Sequence, residues 1–244
     1  MKDLKMAAVN ARKIISNILL ISLIVSLVYG IAGLIYSGKG SFSLYNRSQL
    51  EFVEIIIQCV LGIAVLFLPS ALEKKLKISF PGIMHVIFVL FIYAAIILGQ
   101  VSGYYKRFYH WDTLLHTFSG IMLSAFGFCI IDIINKNPKI NLGLSDWFMA
   151  FFSFCFAIML DTMWEIIEFT IDSILDLNMQ MYNLSDGTVL VGHLALVDTM
   201  KDLIVDVFGA LFISVIGYVV LKRRRNIREN SMKPKPAYVW GNTK

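Results

Sequence analysis

The stretch 147–172, WFMAFFSFCFAIMLDTMWEIIEFTID, decides the fold. From Trp147 to Leu160 it carries no charge. A hydrocarbon core of roughly 30 Å needs about 20 predominantly apolar residues of helix, and this stretch supplies them. Its second half holds Asp161, Glu165, Glu168 and Asp172 at spacings of four, three and four. At about 100° per residue these fall within roughly a 60° arc and make one acidic stripe. An unpaired acid near a bilayer centre costs about 2.5–3.5 kcal/mol, so the stripe must face a protein interior.

Five more apolar stretches, at about 14–37, 52–71, 81–101, 112–134 and 202–221, are also long enough to span. With 57% hydrophobic and 16% charged residues in 244 and a mean hydropathy of +0.71, the chain has too little polar surface to coat a soluble globule. The expected fold is all-α, a polytopic bundle of six transmembrane helices forming one domain over 1–221. A basic, disordered cytoplasmic tail is expected over 222–244. The apolar run from Ile14 to Tyr36 exceeds a signal-peptide core and reads as a retained anchor helix. The net charge of +5 does not point to nucleic acid, because the basic residues crowd the tail from Lys222 onward, where they signal topology and meet lipid headgroups. Cys59, Cys129 and Cys155 are isolated and read as packing residues.

Orientation follows from charge. With a cytoplasmic N-terminus, that side receives the N-terminal arm, EKKLKIS, NKNPKIN and the tail; the other side keeps only Lys39, Arg47, Lys106, Arg107 and Lys201 of the 22 Lys and Arg residues. The positive-inside rule therefore favours N-in and C-in. Helix four then begins at the outer face with HWDTLLH (110–116), helix five ends there, and helix six begins there with DTMKDLIVD (198–206). Asp198, Asp202 and Asp206 repeat the i, i+4, i+8 pattern, and Asp112 and His116 form an i, i+4 pair. Asp206 lies about 12 Å along its helix from Asp198, and Asp161 about 16 Å from Asp172, so these two are the deepest acids.

Eight acids stand here against Lys106, Arg107 and Lys201, a surplus of negative charge that bound cations or retained protons must offset. Carboxylates with His110 and His116 suit a divalent zinc, manganese or iron ion, and carboxylates alone suit magnesium or calcium. The expected ligand set is Asp112, His116, Asp161, Glu165, Asp198, Asp202 and Asp206. A catalytic set of His110, Glu165, Glu168, Lys106 and Arg107 is expected beside it, one carboxylate or His110 acting as base and Lys106 or Arg107 meeting phosphate. The plainer reading is that the acids cap helix ends and face water. It accounts for the terminal Asp112, Asp172 and Asp198, but poorly for Asp161, Glu165 and Asp206.

Around this set, Gly120 and Gly209 are expected to permit close helix packing. His85 and His193 are expected at the two interfaces. Glu54, Gln58 and Gln100 are expected to support the site from a distance. The loop 176–197, with its SDG turn at 185–187, reads either as a lid or re-entrant segment or as a surface loop on the membrane. Neither a P-loop nor a G-x-G-x-x-G is present.

The blocks RFYHWDTLLHTFSGIML, WEIIEF and DTMKDLIVDVFGAL resemble the YjdF-like bacterial inner-membrane proteins, which are similar in turn to the wider VanZ-like membrane family. The resemblance covers about residues 100–215. It implies a polytopic bacterial membrane protein without a defined reaction, and carries over His110, Asp112, His116, Glu165, Glu168, Asp198 and Asp202. VanZ-like relatives are associated with glycopeptide resistance. Three functions compete. One is a metal-dependent hydrolase or transferase acting on a lipid or cell-envelope precursor. The others are a proton- or cation-coupled transporter, and a non-catalytic scaffold or sensor.

Overall fold

A computed structural model describes residues 2–37, 47–136, 142–184 and 187–232. The described chain is all-helical. The principal helices are α1 (Lys2–Ser37), α2 (Gln49–Leu76), α3 (Gly82–Ile92, continued by a π-helical run Tyr93–Val101), the single turn α4 (Tyr104–Arg107), α5 (Trp111–Asn135), α6 (Asp146–Leu175) and α7 (Val197–Met232). A 3₁₀ turn, Gly192–Leu196, leads into α7. All of these except α4 and the 3₁₀ turn are long and apolar enough to cross a membrane, which gives the six expected spans.

Local chemistry places the helix ends. Ser48 and Ser145 cap α2 and α6, their hydroxyls accepting from the amides of Glu51 and Phe148 at 3.2 Å each. Lys77 and Asp176 close the same two helices in the left-handed conformation, each with φ 54°. Gly103, with φ 76°, breaks the chain between the π-helical run and α4. The basic stretch after residue 221 does not end α7, which continues to Met232; Lys and Arg are good helix formers, so the boundary marks the end of apolar sequence rather than of helix. Residues 233–244 of the expected tail, Lys39, and Ser185 and Asp186 of the SDG turn lie outside the described residues.

The spans divide into two groups. In the first, α1, α2 and α3 enclose an apolar core of Leu19, Leu23, Phe52, Ile55, Cys59, Leu66, Val89 and Ile92. In the second, α5 packs against both α6 and α7, which also pack on each other. Rings join the groups: Phe80 and Phe88 meet Phe126 edge-on at 5.4 and 6.0 Å, and Phe91 stacks on Phe118 at 6.2 Å. Ion pairs tie helix ends at one face, Arg12 to Glu73 at 3.5 Å and Arg225 to Asp146 at 3.0 Å.

The α5–α7 crossing is close because both helices contribute a glycine to it. A β-carbon on Gly120 would strike the carbonyl of Asp206 and approach the Ala210 amide to 3.1 Å; one on Gly209 would strike the carbonyl of Thr117 and approach the Ile121 amide to 3.2 Å. Small residues that let backbones meet are the usual route to helix association in a bilayer. Ser124 and Ser214 continue the seam with a buried hydroxyl pair at 3.0 Å.

Candidate functional site

The acids gather where α5 and α7 begin and α6 ends. At the centre is His116, buried on α5 one turn after Asp112. Its Nδ1 is 3.0 Å from Asp206 Oδ2 on α7, a contact the glycine crossing makes possible. Its Nε2 faces the other way, 3.8 Å from Asp112 Oδ1 and 3.9 Å from Glu165 Oε1 on α6. A carboxylate at Nδ1 favours a proton there, so a cation binding at Nε2 would use the lone pair directed toward Asp112 and Glu165.

Asp112, His116 and Asp202 each offer a ligand atom, and these atoms lie within 4.8 Å of one another. Tetrahedral ligands about 2.1 Å from a shared ion stand about 3.4 Å apart, so the farthest pair would have to close by up to about 1.4 Å for the three to share one cation. Below them, the Ser119 hydroxyl contacts Asp161 Oδ1 at very short range and Asp206 Oδ1 at 3.3 Å. One hydroxyl has one proton, so it serves only one of these two acceptors at a time.

Three oxygens in this group have no hydrogen-bond partner among the described residues: Asp161 Oδ2, Glu165 Oε1 and Asp202 Oδ1. Their residues are only 4%, 5% and 2% exposed. Uncompensated buried charge is expensive, so these oxygens call for a cation or a proton. Glu168 and Asp198 are half-buried at the same level, within electrostatic reach of His116 and Asp112.

The basic residues expected to balance the acids are largely engaged elsewhere. Lys106 pairs with Glu51 of α2 at 2.6 Å. Arg47 donates to the carbonyls of Gln100 and Val101, at 2.8 Å for the shortest contact, and so caps the end of the π-helical run. Arg107 and His110 are exposed, His110 resting edge-on against Tyr109 at 4.7 Å. Lys201 alone acts electrostatically on Asp198 and Asp202.

The loop after α6 is anchored over the site. Asp172 accepts from the amides of Met179 and Gln180, both at 2.9 Å, so its carboxylate holds the loop; the residue is buried and does not face water as the plainer reading expects. Gln180 then donates to Thr199 of α7 at 2.8 Å, which ties the loop to the start of that helix. Glu54 of α2 accepts from Gln100 at 2.8 Å and from the Asn178 amide at 3.4 Å, which joins the α1–α3 group to the same loop. Val189, Val191 and Leu194 farther along are exposed.

Sequence reasoning missed three residues. Ser119 was within reach, being one turn beyond His116 on the acid-bearing face of α5. Gln180 gave no signal. Tyr105 gave none either: it sits on α4, and its ring packs against the backbone of Gly99, where a β-carbon would come 2.9 Å from the ring's Cζ. Burial and then the charges of Asp112, Glu168 and Asp202 push its hydroxyl well above the usual tyrosine range, so it remains a protonated donor.

An uncharacterised protein of Thermotoga maritima is 26% identical to this chain over 177 residues, covering 72% of this chain and 81% of that protein. No solved structure matches. The sequence profile of the predicted membrane protein family DUF2238 matches residues 14–223, which covers four spans in full, most of the first and last, and every acid of the site. The chain belongs to the DUF2238 family of predicted membrane proteins.

Proposed function

We propose that the protein holds a divalent cation at Asp112, His116 and Asp202, with Glu165 in reach, and acts at the outer face of a bacterial inner membrane. There it hydrolyses or transfers a group on a lipid or cell-envelope precursor. One observation carries the reading: His116 is clamped at Nδ1 by Asp206 while Nε2 turns toward Asp112 and Glu165. A histidine ligand backed by a carboxylate is the recurrent arrangement of metal centres. Asp206 and Asp161, expected from sequence among the ligands, are here supporting residues: Asp206 orients the ring, and Asp161 shares the Ser119 hydroxyl with it.

An ion in this position would supply an activated water and charge stabilisation. The protein's part is to orient His116, to exclude bulk water through the loop anchored by Asp172 and Gln180, and to place Glu165 and Glu168 as proton acceptors. Kinship with VanZ-like proteins belongs to the same proposal and agrees with an envelope substrate.

Elemental analysis of detergent-purified protein tests it. Near-stoichiometric divalent metal is expected in the wild type and none in Asp202→Asn, while Asp206→Asn should bind about 10- to 100-fold more weakly. A folded wild type that takes up no metal would sink the reading and leave retained protons to neutralise the acids, as a proton- or cation-coupled transporter requires.

A further inference from the structure

We infer that residues 188–197, TVLVGHLALV, dock on lipid: the segment lies in the headgroup boundary of the leaflet nearer the acids, so that lipid rather than water borders the acid-bearing helices on that side. The inference does not depend on the cation reading. From Gly187 to Val197 the sequence carries no Asp, Glu, Lys or Arg, and His193 is its one titratable side chain. The structure nevertheless turns these residues outward. Val189, Leu194 and Leu196 are exposed, and Val191 is 76% exposed. Exposed apolar side chains concentrated in one short segment mark a protein or membrane contact.

Continuity with the lipid-facing surface of α7 decides between the two. At about 100° per residue, the exposed Val197, Met200, Ile204 and Phe208 fall within about an 80° arc. Asp198, Asp202 and Asp206 occupy an arc centred about 160° away, so one face of α7 meets lipid while the opposite face carries the acids. The 3₁₀ turn Gly192–Leu196 runs directly into Val197 and carries the apolar face on to Leu194. Exposed apolar side chains recur on this path from Leu194 to Val220 and on α6 from Trp147 to Ile174, each about 40 Å of helix. Both rows start beside charged residues at the far end, Lys222 and Asp146. A length of about 40 Å exceeds the roughly 30 Å hydrocarbon core and matches the core with its headgroup layers, which puts the segment at headgroup level.

The backbone sets the same depth. Non-helical chain is excluded from lipid-exposed positions in the hydrocarbon core, because its N–H and C=O groups would go unpaired there. In this loop many of them are paired internally. Asn183 and Val189 form an antiparallel bridge, and the amides of Leu184 and Leu190 donate to the carbonyls of Thr188 and Tyr182, both at 2.9 Å. The Asn178 side chain donates to the Asn183 carbonyl and accepts from its amide, each at 2.8 Å. A loop so folded, with apolar side chains outward, suits the headgroup and acyl boundary, where apolar faces bury about 5–10 Å deep.

Full-length protein in nanodiscs of phosphatidylcholine and phosphatidylglycerol tests this. A Cys129→Ser, Cys155→Ser background leaves only the fully buried Cys59. Nitroxide labels are placed in it at Val191→Cys and Leu194→Cys, with Ile204→Cys as the lipid standard and Glu229→Cys, on the charged end of α7, as the aqueous one. Relaxation by oxygen, which partitions into lipid, is compared with relaxation by a water-soluble nickel chelate. Labels at Val191 and Leu194 are expected to favour oxygen, with chelate accessibility well below that at Glu229 and close to that at Ile204. Accessibility equal to that at Glu229 overturns the inference and places the segment in water. Shelter from both reagents overturns it as well, by showing that a second copy or another protein covers the face. All four labelled positions are exposed, so the substitutions do not threaten the fold. The measurement needs no metal, so its failure leaves the cation reading untouched.

Discussion

The two groups of spans bury different things. Where α1, α2 and α3 meet, the buried side chains are chiefly Leu, Ile, Phe and Val with Cys59, and Ser26 and His85 are the buried polar ones among the described residues. Where α5, α6 and α7 meet, they include His116, Ser119, Ser124, Ser153, Asp161, Glu165, Asp172, Asp202, Asp206 and Ser214. Lipid tails are as apolar as leucine, so neither group gains from hiding hydrocarbon as a soluble core does. The first holds by close packing of shaped side chains. The second holds by glycine-mediated backbone contact and hydrogen bonds, and carries charge that packing alone would not call for. Such a division sets an apolar packing region beside the candidate site in one bundle.

If the polar group is kept for function, its charges should come out together more cheaply than one at a time. His116→Ala leaves Asp206 buried without its partner and should cost about 3–5 kcal/mol in metal-free protein. Replacing both with leucine, His116→Leu with Asp206→Leu, should restore stability to near the wild type while abolishing metal uptake. Thermal unfolding in detergent reads both variants, and a double variant as weak as the single would erase the distinction between the groups.

The apolar group should show the opposite pattern. Leu23→Ala, at a site that is 0% exposed, should cost about 2–4 kcal/mol by opening a cavity and leave metal stoichiometry unchanged. A loss of metal there would mean that the scaffold and the site are mechanically one. A smaller effect sharpens the boundary between them. Arg47→Gln removes a charged cap from the end of the π-helical run and should cost about 1 kcal/mol, a shift of roughly 2–4 °C in Tm.

The parts of this arrangement readable in the sequence were the local ones. Apolar length gave the spans, and i, i+4 spacing gave the stripes on α5, α6 and α7, because both properties are set within one helix. Asp112, His116 and Asp202 were all among the expected ligands for the same reason. What spacing could not tell is which acid stands behind the histidine and which beside it. That depends on how far α7 slides against α5, which the contacts of Gly120 and Gly209 fix in three dimensions. Lys106 was read as balancing the site because it is close in sequence, whereas the fold gives it Glu51 from another helix. Tyr105 stayed hidden because hydrophobic spacing cannot distinguish π-helix from α-helix within an apolar run.

The π-helical run also sets how this region tolerates insertion and deletion. Each of its i→i+5 bonds accommodates one residue more than an α-helical turn does. Loss of a single codon between Tyr93 and Val101 would let that stretch relax toward an ordinary α-helix, still apolar and still able to span. Because that relaxation takes up the missing residue, the helix beyond it need not turn by the roughly 100° that a deletion imposes on an α-helix. The nine residues of this run can therefore lose one position and still deliver the chain to the Gly103 turn in nearly the same register, a tolerance that the α-helical spans bearing the acids do not share.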